Sequence, residues 1–121
     1  MSDFTEYMHE VFEPFGPITT RRMFGGHGVY HHGLMLALVF KDQLYLKTDA
    51  HNVGEFLRLN LPAFTFEQKG KPVQLSYRQA PDAMLDDREQ ARLWAQSAWD
   101  AALRAQALKV KKPAGKIRKF I

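Results

Sequence analysis

Cysteine is absent from the 121 residues. That one absence excludes a disulfide framework, a thiolate zinc site and a cysteine nucleophile together. Long apolar runs are missing too. No stretch approaches the roughly 18 consecutive apolar residues that a bilayer crossing needs, so no membrane contact is expected. The opening residues, MSDFTEYMHE, carry Asp3 and Glu6 and no basic segment, so a secretory signal is not expected and a cytoplasmic location is. The length suits a single domain, and 45% hydrophobic residues supply one core.

Charge of one sign is also scarce where a nucleic-acid face would need it. The net charge is +4, but residues 108–121 contain Lys109, Lys111, Lys112, Lys116, Arg118 and Lys119 without a single acid. The rest of the chain holds 11 cations against 13 acids, a net charge of −2. The basicity belongs to a tail, and the body advertises no phosphate-binding cluster. The expected division is a folded domain over 1–107 and a flexible basic tail over 108–121, where Pro113 and Gly115 are expected to break a helix.

Periodicity supplies the elements. Phe4, Met8, Val11, Phe12 and Phe15 fall on one helical stripe, closed by Pro14 and Gly16-Pro17. Strands follow from Ile18 to Met23, resuming over Gly28–His31 after a glycine loop, then Leu34–Phe40 and the segment LYLKT. Asp49 is placed to cap a short helix over His51–Leu59, with Val53, Phe56 and Leu57 inward. The strands AFTFEQ and PVQLSYR are joined by a turn at KGK. The longest helix is expected from about Asp87 to Ala107, with Ala91, Trp94, Ala95, Ala98, Ala102 and Ala105 on one side. The fold class expected is α+β: a two-layer sandwich with a five-stranded antiparallel sheet and the order α-β3-α-β2-α.

The stretch TRRMFGGHGVY, Thr20 to Tyr30, concentrates the candidate chemistry. A Walker loop would need lysine and a hydroxyl after the glycines, and a dinucleotide fingerprint would need a helix there. Neither follows, so Gly25, Gly26 and Gly28 read first as a bulge or bend between strand segments. The functional alternative is an interaction surface made by Arg21, Arg22, Gly25, Gly26 and His27. His27 and His31 would share a strand face and His32 would point away; two histidines without a nearby acid are too few for a metal site. Ser76 and Tyr77 stand beside no evident base. Asp82, Asp86, Asp87 and Glu89 are explained by the start of the long helix. No catalytic residue and no cofactor is expected.

The segments RRMFGGHGVYHHGLMLALVFKDQLYLKTD, LPAFTFEQKGKPVQLSYRQAPDAML and LWAQSAWDAALRA together resemble the N-terminal domain of the TfoX (Sxy) family, over about Phe4 to Ala107. The family takes its name from a bacterial regulator of competence for DNA transformation. The resemblance implies a bacterial protein in transcription regulation, acting through protein contact rather than as an enzyme, with a cyclic-AMP receptor-type transcription regulator as the expected partner. It also implies an α/β two-layer fold. Full-length regulators of this type carry a second domain where this sequence has the basic tail. Three further expectations stand beside it: a homodimer through a sheet edge or helix face, salt-dependent DNA contact through the tail cations, and a ligand-binding or enzymatic pocket under the Gly25–Gly28 loop.

Overall fold

A computed structural model describes residues 3–23 and 25–117 of the chain, with side chains described as far as residue 109. The order is α1 (Asp3–Val11), β1 (Thr19–Met23), β2 (Gly26–His31), β3 (Leu34–Phe40), β4 (Gln43–Lys47), α2 (Val53–Arg58), β5 (Ala63–Gln68), β6 (Lys71–Gln79), α3 (Ala83–Asp86) and α4 (Arg88–Ile117). The strands form one antiparallel sheet in the order β1-β2-β3-β4-β6-β5. The α+β class stands, but the sheet has six strands and not five.

The extra strand comes from the glycine segment. Met23 pairs with Gly26, so the chain reverses within a tight turn where Gly25 has φ +81°. Residues expected to form one bent strand are therefore two neighbours. The other hairpins fall where turn composition places them. His32-Gly33, Lys41-Asp42 and Lys69-Gly70 each supply the two consecutive positive-φ residues that a type I′ turn requires. In β3 the register slips beside Val29 and Tyr30, because Val29 pairs with Ala37 and Tyr30 with Met35. Leu36 is the residue left over, and Leu36 and Ala37 both join the main core.

The helices share one face of the sheet. Met8, Val11 and Phe12 from α1 and its end, Phe56 from α2 and Met84 from α3 meet Val29, Val39, Leu44 and Leu46. Ala91, Ala95, Ala98 and Ala102 bring α4 down on the same core, as the alanine face predicts. Phe56 lies 5.0 Å from Trp94, ring to ring, and fills the gap the alanines leave. Leu57, expected inward, is 52% exposed, because the six-residue α2 turns only Phe56 fully into the core. On the opposite face of the sheet a second cluster forms around Leu38, Phe64 and Tyr77, with Tyr45 and Phe66 against it.

Asp87 opens α4, its Oδ1 accepting the backbone N–H groups of Glu89 and Gln90 at 2.8 and 3.0 Å. The helix runs on to Ile117, past the Ala107 where the sequence places its end and through Pro113 and Gly115. A proline forfeits one backbone bond, and this 30-residue helix continues across it. The side chains of Lys111, Lys112 and Lys116, and all of Arg118 and Lys119, lie outside the described residues.

Candidate functional site

Two regions among the described residues hold exposed chemistry, on different strands of the sheet. The first is the β1–β2 hairpin. β1 is the outermost strand, and its Arg21 and Arg22 are both exposed. Strand alternation sends them to opposite faces. The Arg21 guanidinium lies 5.5 Å from the centre of the Tyr30 ring, a cation–π contact on the face away from the helices. Arg22 pairs in register with His27, whose Nδ1 is 3.5 Å from Thr5 Oγ1 of α1. Among the described residues neither arginine forms an ion pair. Gly25 and Gly26 contribute backbone geometry. The five residues therefore occupy one hairpin without converging on one point.

The histidines divide the same way. His31 Nδ1 is 2.7 Å from the Pro17 carbonyl oxygen, and its ring packs at 4.7 Å against both Phe15 and Trp99. It is half-buried in the helix layer. His32 sits in the turn, exposed, with its ring 4.1 Å from that of His31. Its ring therefore does not point away as the strand alternation suggested. The positive-φ turn at His32-Gly33 has already left the strand geometry on which that expectation rested. No group of three or more His, Asp or Glu side chains that could hold a metal ion occurs among the described residues.

The second region is a groove of 550 Å³ between the end of β4, the loop after it, Ser76 of β6 and the far half of α4. None of its lining residues comes from Gly25–Gly28, so it is not the pocket the glycine loop suggested. Its wall is a polar knot. Asp49 Oδ1 accepts the backbone N–H groups of His51 (2.9 Å) and Asn52 (3.2 Å), which closes a turn ahead of α2. Arg104 of α4 reaches the same carboxylate with two nitrogens, at 2.5 and 3.0 Å. Asn52 is the side chain that ties the loop to α4. Its Oδ1 accepts the Asp49 N–H at 2.8 Å, and its Nδ2 donates to Lys47 O, Ser97 O and Ser97 Oγ at 3.1 to 3.3 Å. Sequence reasoning chose Asp49 as the helix cap and passed over Asn52, although an Asn immediately before a helix is a signal it could have used.

Lys47 faces this groove. Because β4 pairs with β6, its Nζ donates to Ser76 Oγ at 2.8 Å and stands 5.1 Å from the centre of the Tyr77 ring. Ser76 thus has an ammonium for a neighbour, which the sequence does not indicate. Burial lowers the Lys47 pKa and the charge of Lys109 lowers it further, while Asp49 opposes both.

The Arg104 hydrogen bonds hold the Asp49 carboxyl down at about 2, helped by the N–H groups of Asn52 and His51 and opposed by desolvation. A folded-state pKa below the unfolded one, about 3.9, stabilises the fold above that value. This stability is lost as pH falls from about 4 to about 2. Asp49 is 21% exposed and Arg104 38%, so solvent screening reduces the full linkage value. Asp49→Asn is expected to cost about 1 kcal/mol at neutral pH and to flatten this acid limb. Urea titrations between pH 2 and pH 5 read both; a variant with the same acid limb would assign the loss to other carboxylates.

An antiparallel sheet with helices on one face and an exposed basic hairpin at its edge defines a small α+β domain whose accessible chemistry is on its surface. The chain belongs to the TfoX N-terminal domain family, whose model matches residues 10–102. At family level that is a regulatory domain related to competence, and the family is not one of known enzymes. The match includes the whole β1–β2 hairpin and stops before Arg104. No curated protein matches the chain. No helix among the described residues is long and apolar enough to cross a membrane.

Proposed function

We propose that the domain is a non-enzymatic regulatory module that acts by protein contact, with the β1–β2 hairpin as its contact surface. The observation that carries this is the hairpin itself: an edge strand within the matched family stretch, presenting Arg21 and Arg22 exposed and outside any ion pair among the described residues. Such a surface suits an acidic partner, and the proposed partner is a transcription regulator of the cyclic-AMP receptor type. Complementary charge across an interface steers the encounter and restricts the choice of partner. Arg22→Glu reverses one charge at an exposed position and leaves the core untouched. Its affinity for the purified receptor-type regulator, read by surface plasmon resonance, is expected to fall at least tenfold. Unchanged affinity would remove the hairpin from the interface.

A second reading has its own observation. α4 continues as helix through residues 109–117, so the basic segment is carried on the same helix that packs on the sheet, with Lys109 exposed at its start. Such a helix could meet phosphates. Fluorescence anisotropy of labelled duplex DNA should then weaken steeply with salt. Binding that ignores salt would exclude this reading.

A further inference from the structure

The groove beside Lys47 has the makings of a ligand site that neither the family nor the hairpin explains. Its volume, 550 Å³, falls in the range of small-molecule sites. Most of its lining is apolar, from Ala50, Ala105, Ala107 and Leu108, the last 62% exposed on α4. Exposed leucines are ordinary one at a time; this one rims a concavity that also contains charge.

The charge is unbalanced. Asp49 is the one carboxylate in the lining, and both its oxygens are occupied by Arg104 and by two backbone N–H groups. Lys47 takes part in none of the ion pairs found among the described residues. Its ammonium spends one proton on Ser76 Oγ and has two left, half-buried and next to the like charge of Lys109. Accepting from Lys47 leaves the Ser76 hydroxyl proton free to donate elsewhere. Two adjacent donors with a single positive charge match the two oxygens of one carboxylate. A phosphate dianion would call for more donors and more charge.

We propose that this groove binds a small amphipathic carboxylate, its head on Lys47 Nζ and Ser76 Oγ and its apolar body along Ala105 and Leu108. The bound anion would neutralise Lys47, which forms no ion pair among the described residues, and its chain would cover the Leu108 side chain. The site lies where β4 meets β6 under α4 and takes none of its lining from the β1–β2 hairpin. Ligand occupancy and partner binding are therefore separate properties of the domain.

Octanoate titrated into the isotopically labelled full-length protein, followed by amide NMR, tests this directly. Saturable shifts are expected at Lys47, Thr48, Ser76 and Ala105. Octan-1-ol, which has the chain without the charge, and acetate, which has the charge without the chain, should each bind at least tenfold more weakly. Lys47→Met should lower octanoate affinity at least tenfold with an unchanged melting temperature. Leu108→Glu, at an exposed position outside the core, should do the same by repelling the anion. Equal binding of octan-1-ol would reduce the groove to a plain apolar surface. Wild-type affinity in both variants, shifts confined to other residues, or no saturable shift at millimolar octanoate would each overturn the proposal.

Discussion

Gly26→Ala is expected to destabilise the domain by about 3 kcal/mol, the upper end for overpacking, because the new methyl group meets backbone. A Cβ at this position would stand 2.1 Å from the Val39 carbonyl oxygen, 3.2 Å from its carbon and 3.3 Å from Phe40 Cα. Side chains can swing aside; the neighbouring strand cannot do so without separating β2 from β3. The other two glycines provide internal controls. Gly25 has open space around it and needs only its φ of +81°, so alanine there should cost about 1 kcal/mol. At Gly28 a Cβ would approach Met23 Sδ, Tyr30 Cε1 and Met35 Sδ at 2.8 to 3.0 Å, the far ends of side chains. Gly28→Ala should fall between the other two. Urea denaturation of the three variants gives the ranking, and equal losses at positions 25 and 26 would show that close strand approach is not what requires glycine there.

That ranking explains what the sequence could and could not reveal. Three glycines in four residues announce that the backbone does something unusual, but a bend and a reversal leave the same composition. The residues before the loop, Thr19 to Met23, lie on an edge strand with much of their surface exposed. They therefore lack the alternation that would have marked a separate strand. Where burial is one-sided the pattern was legible: the stripe from Phe4 to Phe15, the alanine face of α4 and the alternation of Leu44 and Leu46 all point at the core they form. Turns with positive φ were legible as well, since their residue types follow from backbone sterics.

The groove was not legible, for a topological reason. Consecutive strands usually pair, so β4 would be set beside β5; instead β4 pairs with β6, which places Lys47 opposite Tyr77 and beside Ser76. The Arg104–Asp49 contact spans 55 positions and depends on how α4 crosses the sheet. Nothing local to either residue signals it. The family match also ends before Arg104, so the α4 side of the groove, from Arg104 to Leu108, lies outside the stretch that the family model describes.

The wall depends most on Asn52, and Asn52→Ala should cost about 3 kcal/mol, close to the loss at Gly26. The side chain is 8% exposed and satisfies the Asp49 N–H, the Lys47 carbonyl and the Ser97 carbonyl and hydroxyl together. Alanine leaves the half-buried Asp49 N–H without its acceptor and removes the donor shared by the Lys47 carbonyl and Ser97, a loss of about 1–3 kcal/mol for each group that water does not satisfy. Ser97→Ala removes one acceptor of the same knot and should cost about 1 kcal/mol. The two losses should not add, because they share the Asn52–Ser97 bonds, and a double-mutant cycle should return a coupling of about 1 kcal/mol. Asn52→Asp is the sharper control. It keeps an acceptor for the Asp49 N–H but turns a negative charge on the Lys47 and Ser97 carbonyls, so it should be at least as damaging as alanine. If Asn52→Ala instead cost under about 0.5 kcal/mol, an exposed-surface value, the loop would not be fastened to α4 through this side chain. The groove would then be held open by the Asp49–Arg104 pair alone.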